Sequence, residues 1–264
     1  ELVPYVEPEW HQMIEKIYYT GEPIQVEYQV QALGKWFRAY ISRVGEAGSP
    51  LIACVYDDIT ERKQQEALKE FIIELSDALS PVADSREVIR LATILLGKFL
   101  KADRVQYLEI NLEQDYFEVS DSYASEAVQK INGRFPFSAF GPPGEKAKKG
   151  EINVIYDIAT EQYPDEVKQS FLSINVHAAV AVPLIKNGKL VANLSVHQIQ
   201  PRFWTNNEIA LLKEIAERTW AAVERTKAEE DLRKSEEKYR TIFETIDEGF
   251  AIQEVVTDAN GDVI

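Results

Sequence analysis

Two apolar runs flank a single Asn187-Gly188 pair, and the chain then passes through Pro201-Arg202-Phe203-Trp204 into Thr205-Asn206-Asn207-Glu208. Asn-Gly between alternating apolar segments favours a two-residue hairpin turn, because both central residues need a positive φ that few side chains accept. This predicts paired strands at 176–185 and 190–200. Thr205 with Glu208 three residues on has the form of a capping box, which satisfies orphan backbone donors at a helix start. Strands delivered straight into a long helix imply a mixed, α+β chain.

The same reading extends in both directions. Trp10, Met13, Ile14 and Ile17 share one face of a helix predicted over 9–20, which Gly21 stops. Ile24, Val26, Tyr28 and Val30 then alternate with polar residues, and further runs at 36–41 and 51–56 follow turns at Gly34 and 45–50. Three such strands in succession read as an antiparallel meander. Leu68, Ile72, Leu75 and Leu79, widened by Phe71 and Ala78, predict a helix over 61–79. Val88, Leu91, Leu95 and Phe99 predict the inward face of the next. Strands are expected at 104–112, 116–122 and 151–156, and a short helix at 164–174. Between them, 123–150 reads as irregular chain broken by Gly133, Gly141, Pro142, Pro143 and Gly144. Ala228, Leu232, Ser235, Tyr239, Ile242 and Ile246 prolong the last helix at 4-3-4-3-4 spacing among dense charges. That stripe fits a solvated single helix, or a dimeric coiled coil with a seam poor in apolar residues.

Charge narrows the function classes. The 264 residues include 29 basic and 44 acidic ones, a formal charge of −15, so the surface repels phosphate backbones and anionic lipid faces. Neither nucleic-acid binding nor direct membrane insertion is expected, since no run approaches the roughly 18 uncharged apolar residues of a spanning helix. Cys54 is the single cysteine, which excludes an internal disulfide or thiolate cluster and points to the cytoplasm. His11, His177 and His197 are too dispersed for a local zinc motif, so no metal site is expected. The opening Glu1-Leu2-Val3-Pro4, with neither Met nor leader, reads as an internal fragment of a longer polypeptide.

Several segments resemble known families. Asp157-Ile158, Ala181-Val182-Pro183-Leu184, Gly188-Lys189-Leu190-Val191, Pro201-Arg202-Phe203-Trp204-Thr205 and Ala216-Glu217-Arg218 through Val223-Glu224-Arg225 resemble the GAF domain of bacterial sensor kinases, with kinship to phytochrome-type GAF domains. The helix, meander and exit Asp58-Ile59-Thr60-Glu61-Arg62-Lys63 resemble the C-terminal half of a PAS domain. In that family Asp58, Ile59 and Thr60 would couple sheet to output helix as signal-relay residues. Leu232-Arg233-Lys234-Ser235 through Phe243-Glu244 resembles the entry to another PAS domain. The implied organisation is a PAS half at 1–60, a GAF domain with its leading helix at 61–225, a helical linker at 226–238 and a truncated second PAS domain at 239–264. The fold class is then α+β, antiparallel-sheet modules joined by long signalling helices.

Catalytic signatures are missing. His11, His177 and His197 are followed by Gln12, Ala178 and Gln198 rather than by the acidic residue of a phosphoacceptor site. No phosphate-cradling Gly-x-x-x-x-Gly-Lys loop occurs. No catalytic residue is assigned. Phytochrome-like GAF domains attach bilin through a Cys-His pair, and the matching positions here are Glu166 and Val167, so no covalent bilin cofactor is expected. The thiol-dependent methionine sulfoxide reductase variant of the fold fails for want of a cysteine.

Two readings of the hairpin stay open: a non-covalent small-molecule pocket on one face, or that face simply covered by loop 123–150 with its polar groups satisfying one another. Val176, Ala178, Val180 and Val182 with Leu190, Ala192, Leu194 and Val196 form a uniformly apolar face for helices. The other face carries His177, Ala179 and Ala181 with Asn193, Ser195 and His197, small residues with polar ends that suit a cavity. Tyr107, Glu109, Phe135, Phe137, Tyr156 and Asp157 are expected to complete its walls. His197 also matches the His beside the chromophore of phytochrome relatives. The resemblance implies the sensory region of a two-component histidine kinase, its kinase core lying in the same chain outside this segment. It implies a parallel homodimer through helices 61–79 and 205–247. The alternative is a ligand-binding regulator of a cyclic-dinucleotide cyclase or phosphodiesterase.

Overall fold

The computed structural model describes residues 8–46 and 48–245. They belong to two units, Glu1–Ile73 and Glu74–Ile264. The expected second PAS start, including Gly249–Val256 and the turn at 258–261, lies outside the described residues.

In the first unit α1 (Pro8–Thr20) precedes an antiparallel sheet of β1 (Ile24–Val30), β2 (Lys35–Val44) and β3 (Leu51–Asp58), in the order β1-β2-β3. Gly21 ends α1 at φ +73°, its N–H donating to Ile17 O at 2.9 Å. Ile24 stands opposite Ile41 and Ile41 opposite Cys54, which gathers alternate residues of all three strands on one face. That face and the α1 stripe Trp10, Ile14 and Ile17 enclose a small core of Ile17, Ala39 and Ile41. Then comes α2 (Thr60–Leu79), whose first turn follows Asp58 after one residue.

The second unit takes up the rest of α2 and adds α3 (Ser85–Leu100), β4 (Arg104–Asn111), β5 (Tyr116–Val119), β6 (Ser122–Ala124), β7 (Gly133–Pro136), α4 (Pro142–Lys148), β8 (Asn153–Ile155), α5 (Asp165–Ser173), β9 (Ala178–Lys186), β10 (Lys189–Gln198) and α6 (Asn206–Thr245). The strands form one antiparallel sheet in the order β7-β5-β4-β10-β9-β8, with β6 also paired to β4. Asn187 and Gly188 adopt φ +50° and +74°, the positive pair that the β9–β10 turn requires. Thr205 and Glu208 close the capping box reciprocally, Thr205 N donating to Glu208 Oε2 at 2.8 Å and Glu208 N to Thr205 Oγ1 at 3.2 Å. Arg202 pairs with Glu208 at 2.6 Å, and buried Trp204 donates Nε1–H to Ile155 O at 3.2 Å. These contacts tie the start of α6 to the sheet.

Four expectations need correction. The strand at 116–122 is two strands, β5 and β6, broken at Ser120-Asp121. Segment 123–150 is not irregular throughout: it holds β7 and α4, with Pro142 and Pro143 in the first turn of α4, where a missing N–H leaves no bond unmade. On α3 the buried stripe is Val88, Ile89, Ala92, Thr93, Leu96, Gly97 and Leu100, with Leu91, Leu95 and Phe99 only half-buried. Apolar residues lie on two adjacent faces of this helix, and the Tyr123 ring seated against Gly97 selects one; a Cβ there would lie 2.1 Å from the ring. Lastly, Leu190 does not join Leu194 and Val196. A bulge between Leu190 and Ala192 sets Leu190 opposite Ile185, packed with Phe137 and Ala147 on the other face.

Candidate functional site

The sheet of the second unit separates two environments. Val105, Val180, Val182, Leu184, Leu194 and Val196 are buried on the face that packs against α3 and α6. The register puts Arg104 opposite His197, Gln106 opposite Ser195 and opposite Ser122, and Asn153 opposite Ala181. With Asn193, these are buried polar groups all on the second face. Burying polar groups costs free energy unless they are bonded, so each one's partners are informative.

Most are satisfied. Arg104 donates to Gln129 O and Ile174 O, Gln106 to Ile131 O, and Ser122 to Asn132 Oδ1. Asn153 Oδ1 accepts from Tyr163 Oη at 2.6 Å and Lys146 Nζ at 3.2 Å. Ser195 Oγ donates to Asn193 Oδ1 at 3.3 Å. His197 is the exception: it is 9% exposed, and its Nδ1 has no hydrogen-bond partner. Burial, with the Arg104 charge beside it as the lesser cause, lowers its pKa from 6.5 to about 3, so the ring is neutral at physiological pH.

His197, Ser195, Asn193 and Ala179 line one small, enclosed cavity of about 50 Å³. Its outer wall is Phe137, Phe140 and Phe171 with the backbone around Gly144. The wall is held by stacking of Phe140 on Phe117, ring centroids 4.5 Å apart, and by Asp115, whose carboxylate accepts from Ser138 N at 2.9 Å and Ser138 Oγ at 2.7 Å.

The other expected wall residues lie elsewhere. Tyr107 pairs with Leu194 and so faces the helices, where it and Glu109 line a different cavity. Tyr156 is 41% exposed and stacks on Phe203. Asp157 caps the turn at Ala159, and His177 engages Gln198 O and Ile158 N through its backbone. Phe135 stacks on Phe117 in the wall's outer layer. Arg104, Gln106, Asn153 and Lys146 escape the sequence reading. A polar residue alternating with apolar ones reads as solvent-facing, and only the covering segments 125–148 bury it.

In the first unit Asp58, Ile59 and Thr60 form a tight junction. Asp58 pairs with Lys35 at 2.8 Å and accepts from Thr60 N and Oγ1, while Thr60 Oγ1 accepts from Trp36 N at 2.9 Å. Ile59 is buried and donates its N–H to Trp36 O. The Lys35 bond, then those of Thr60, lower the Asp58 pKa to about 2.

An antiparallel sheet with a helix layer on one face and a capped cavity with polar lining on the other defines a domain of the α+β class. The family model of the GAF domain matches residues 84–223, and the chain belongs to the GAF domain family. Among solved structures it is similar to the phycoerythrobilin-bound GAF domain of a cyanobacterial phytochrome, with 17% identity and TM-score 0.53 over 63% of this chain and 97% of that one. The chromophore-binding domain of an unusual bacteriophytochrome from R. palustris gives 13% identity and TM-score 0.55 over 85% and 81%. Free methionine-R-sulfoxide reductase from Neisseria meningitidis gives 16% and 0.51 over 61% and 90%. No curated protein matches the chain. Among the described residues no helix is long and apolar enough to cross a membrane, and no His, Cys, Asp or Glu group is placed to hold a metal ion.

The residues do not fit a covalently held bilin. Cys54 lies in the first unit, residues 63–264 contain no thiol, and the cavity is far below the several hundred Å³ of a site for such a ligand.

Proposed function

We propose that this chain is the sensory and relay portion of a cytoplasmic signal-transduction protein, in which the GAF unit takes a small molecule non-covalently beside His197. One observation carries the reading: the Nδ1 of His197 is buried, neutral and unpartnered in a cavity of small side chains, a costly arrangement unless a ligand supplies the missing bond. The cavity as it stands has room for water alone, so entry requires Phe137 and Phe140 to swing outward with segment 133–141. The Asp115–Ser138 bonds and the φ of +126° and +55° at Gly133 and Gly141 mark the latch and the flanking hinges.

Under this reading residues 1–60 are the C-terminal half of a PAS domain, with Asp58, Ile59 and Thr60 as the relay into α2. Helices 61–79 and 205–247 form a parallel homodimer and pass the change to a histidine kinase core in the same chain. The segment itself performs no catalysis. Transmission needs only a differential free energy of about 1–3 kcal/mol between two packings of the helices.

Native mass spectrometry of the purified segment tests the pocket. A non-covalent small molecule is expected on the wild type and lost in Ala181→Leu, which fills the cavity; an unliganded wild type that no metabolite library stabilises would reject the reading. Fusion to a histidine kinase core tests the relay, with ligand expected to alter autophosphorylation and Thr60→Val to uncouple it.

A further inference from the structure

We infer that the helix-facing side of the GAF sheet holds a second binding site, for a small zwitterion of the α-amino-acid type. The site is a cavity of about 400 Å³, in the size range of small-molecule sites. Strands β4 and β5 make its floor, α6 its roof, and the first turn of α3 its rim. The register places Glu109 directly opposite Glu118 and Asn111 opposite Tyr116, with Tyr107 and Ser120 the next positions on that face. Trp220, Val223, Glu224 and Lys227 descend from α6, and Arg86 stands at the rim.

Two hydroxyls border this cavity. Tyr107 is 1% exposed and lines it. Ser120 Oγ is buried with no hydrogen-bond partner. Burial, then Glu109, Glu224 and Glu217, raise the Tyr107 pKa, so at neutral pH the phenol is a hydrogen-bond donor. A buried hydroxyl such as that of Ser120 is normally satisfied, which points to a guest between floor and roof.

The charges indicate which guest. Glu109 and Glu118 face one another, an arrangement that like charges disfavour. Each is answered by a cation: Lys227 Nζ lies 2.6 Å from Glu109, and Arg134 lies 2.8 Å from Glu118. Glu224 shares Lys227 only at 3.9 Å, and Arg86 makes no ion pair among the described residues. Glu224, its side chain half-exposed, and the exposed Arg86 are the lining charges left for a ligand to meet in place of solvent. A ligand carboxylate meets Arg86 and the two hydroxyls, its ammonium meets Glu224, and a side chain lies against Val223 and Val191. A simple amine or a simple acid would leave one of the two charges without a partner.

Calorimetric titration of the whole 264-residue chain with each free L-amino acid, and with acetate and putrescine as single-charge controls, tests the site. At least one amino acid should bind at least about tenfold more tightly than either control, the scale of one charge-assisted bond. Tyr107→Phe and Arg86→Gln, with unchanged circular dichroism and Tm, should each weaken it by about the same factor. His197→Ala, in the other cavity, should leave it unaffected. The inference is overturned if no amino acid binds, if acetate or putrescine binds as well, if Tyr107→Phe and Arg86→Gln bind normally, or if His197→Ala alone abolishes binding. The last of these results would place the amino acid in the His197 pocket instead; the others do not bear on that pocket.

Discussion

His197 and Asp58 show how single side chains couple the fold to pH, and with opposite reasons for the same sign. The His197 pKa falls from 6.5 to about 3 on folding. Below 6.5 the unfolded chain therefore binds a proton that the folded one refuses, and stability declines as pH falls toward 3. Chemical denaturation at pH 7 and pH 5 should show this loss in the wild type and a flatter response in His197→Gln. An equal slope in both would remove His197 as the cause. Asp58 has its folded pKa depressed from 3.8 to about 2. Its ion pair with Lys35 stabilises the first unit above about 4, and the contribution disappears as pH falls toward 2. Asp58→Asn should thus be less stable than wild type at pH 7 and converge with it near pH 2, as followed by circular dichroism.

At the scale of elements, one extra residue in β10 decides what closes the candidate pocket. Because Val191 is bulged out, Leu190 shares a face with Ile185 and seals against Phe137 and Ala147. Strict alternation would have sent it to the helices. Leu190→Ala should cost about 2–5 kcal/mol in urea denaturation. It should also loosen α4, seen as faster hydrogen exchange over 137–148, whereas a side chain on the helix face would loosen α6 instead. The start of α6 has a parallel test. Thr205→Ala removes one side of a capping box and should lower stability by about 1 kcal/mol without altering the sheet.

For the whole molecule the outstanding feature is the exposed C-terminal stretch of α6. Leu232 and Tyr239 are 62% and 60% exposed, seven residues apart on a helix whose other outward residues are mostly charged. Exposed apolar residues at that spacing suit a partner helix. Leu232→Glu with Tyr239→Glu should lower the dimer fraction in light scattering; an unchanged mass would count against the helical seam. The amino-acid order alone determined the kinds of most elements and their succession, though not β7, α4 or the break between β5 and β6. Asn187-Gly188 declares its hairpin, Thr205 and Glu208 declare a helix start, and the 2.0 and 3.6 periods separate strand from helix, because all of these depend on contacts within a few residues. Tertiary structure alone decided which strands lie side by side, that a bulge turns Leu190 over, that Tyr107 looks toward α6, and that Arg104, Gln106 and Asn153 are buried beside His197. Those outcomes depend on register between strands far apart in the chain and on segments folded across the sheet, and no local pattern of residues carries that information.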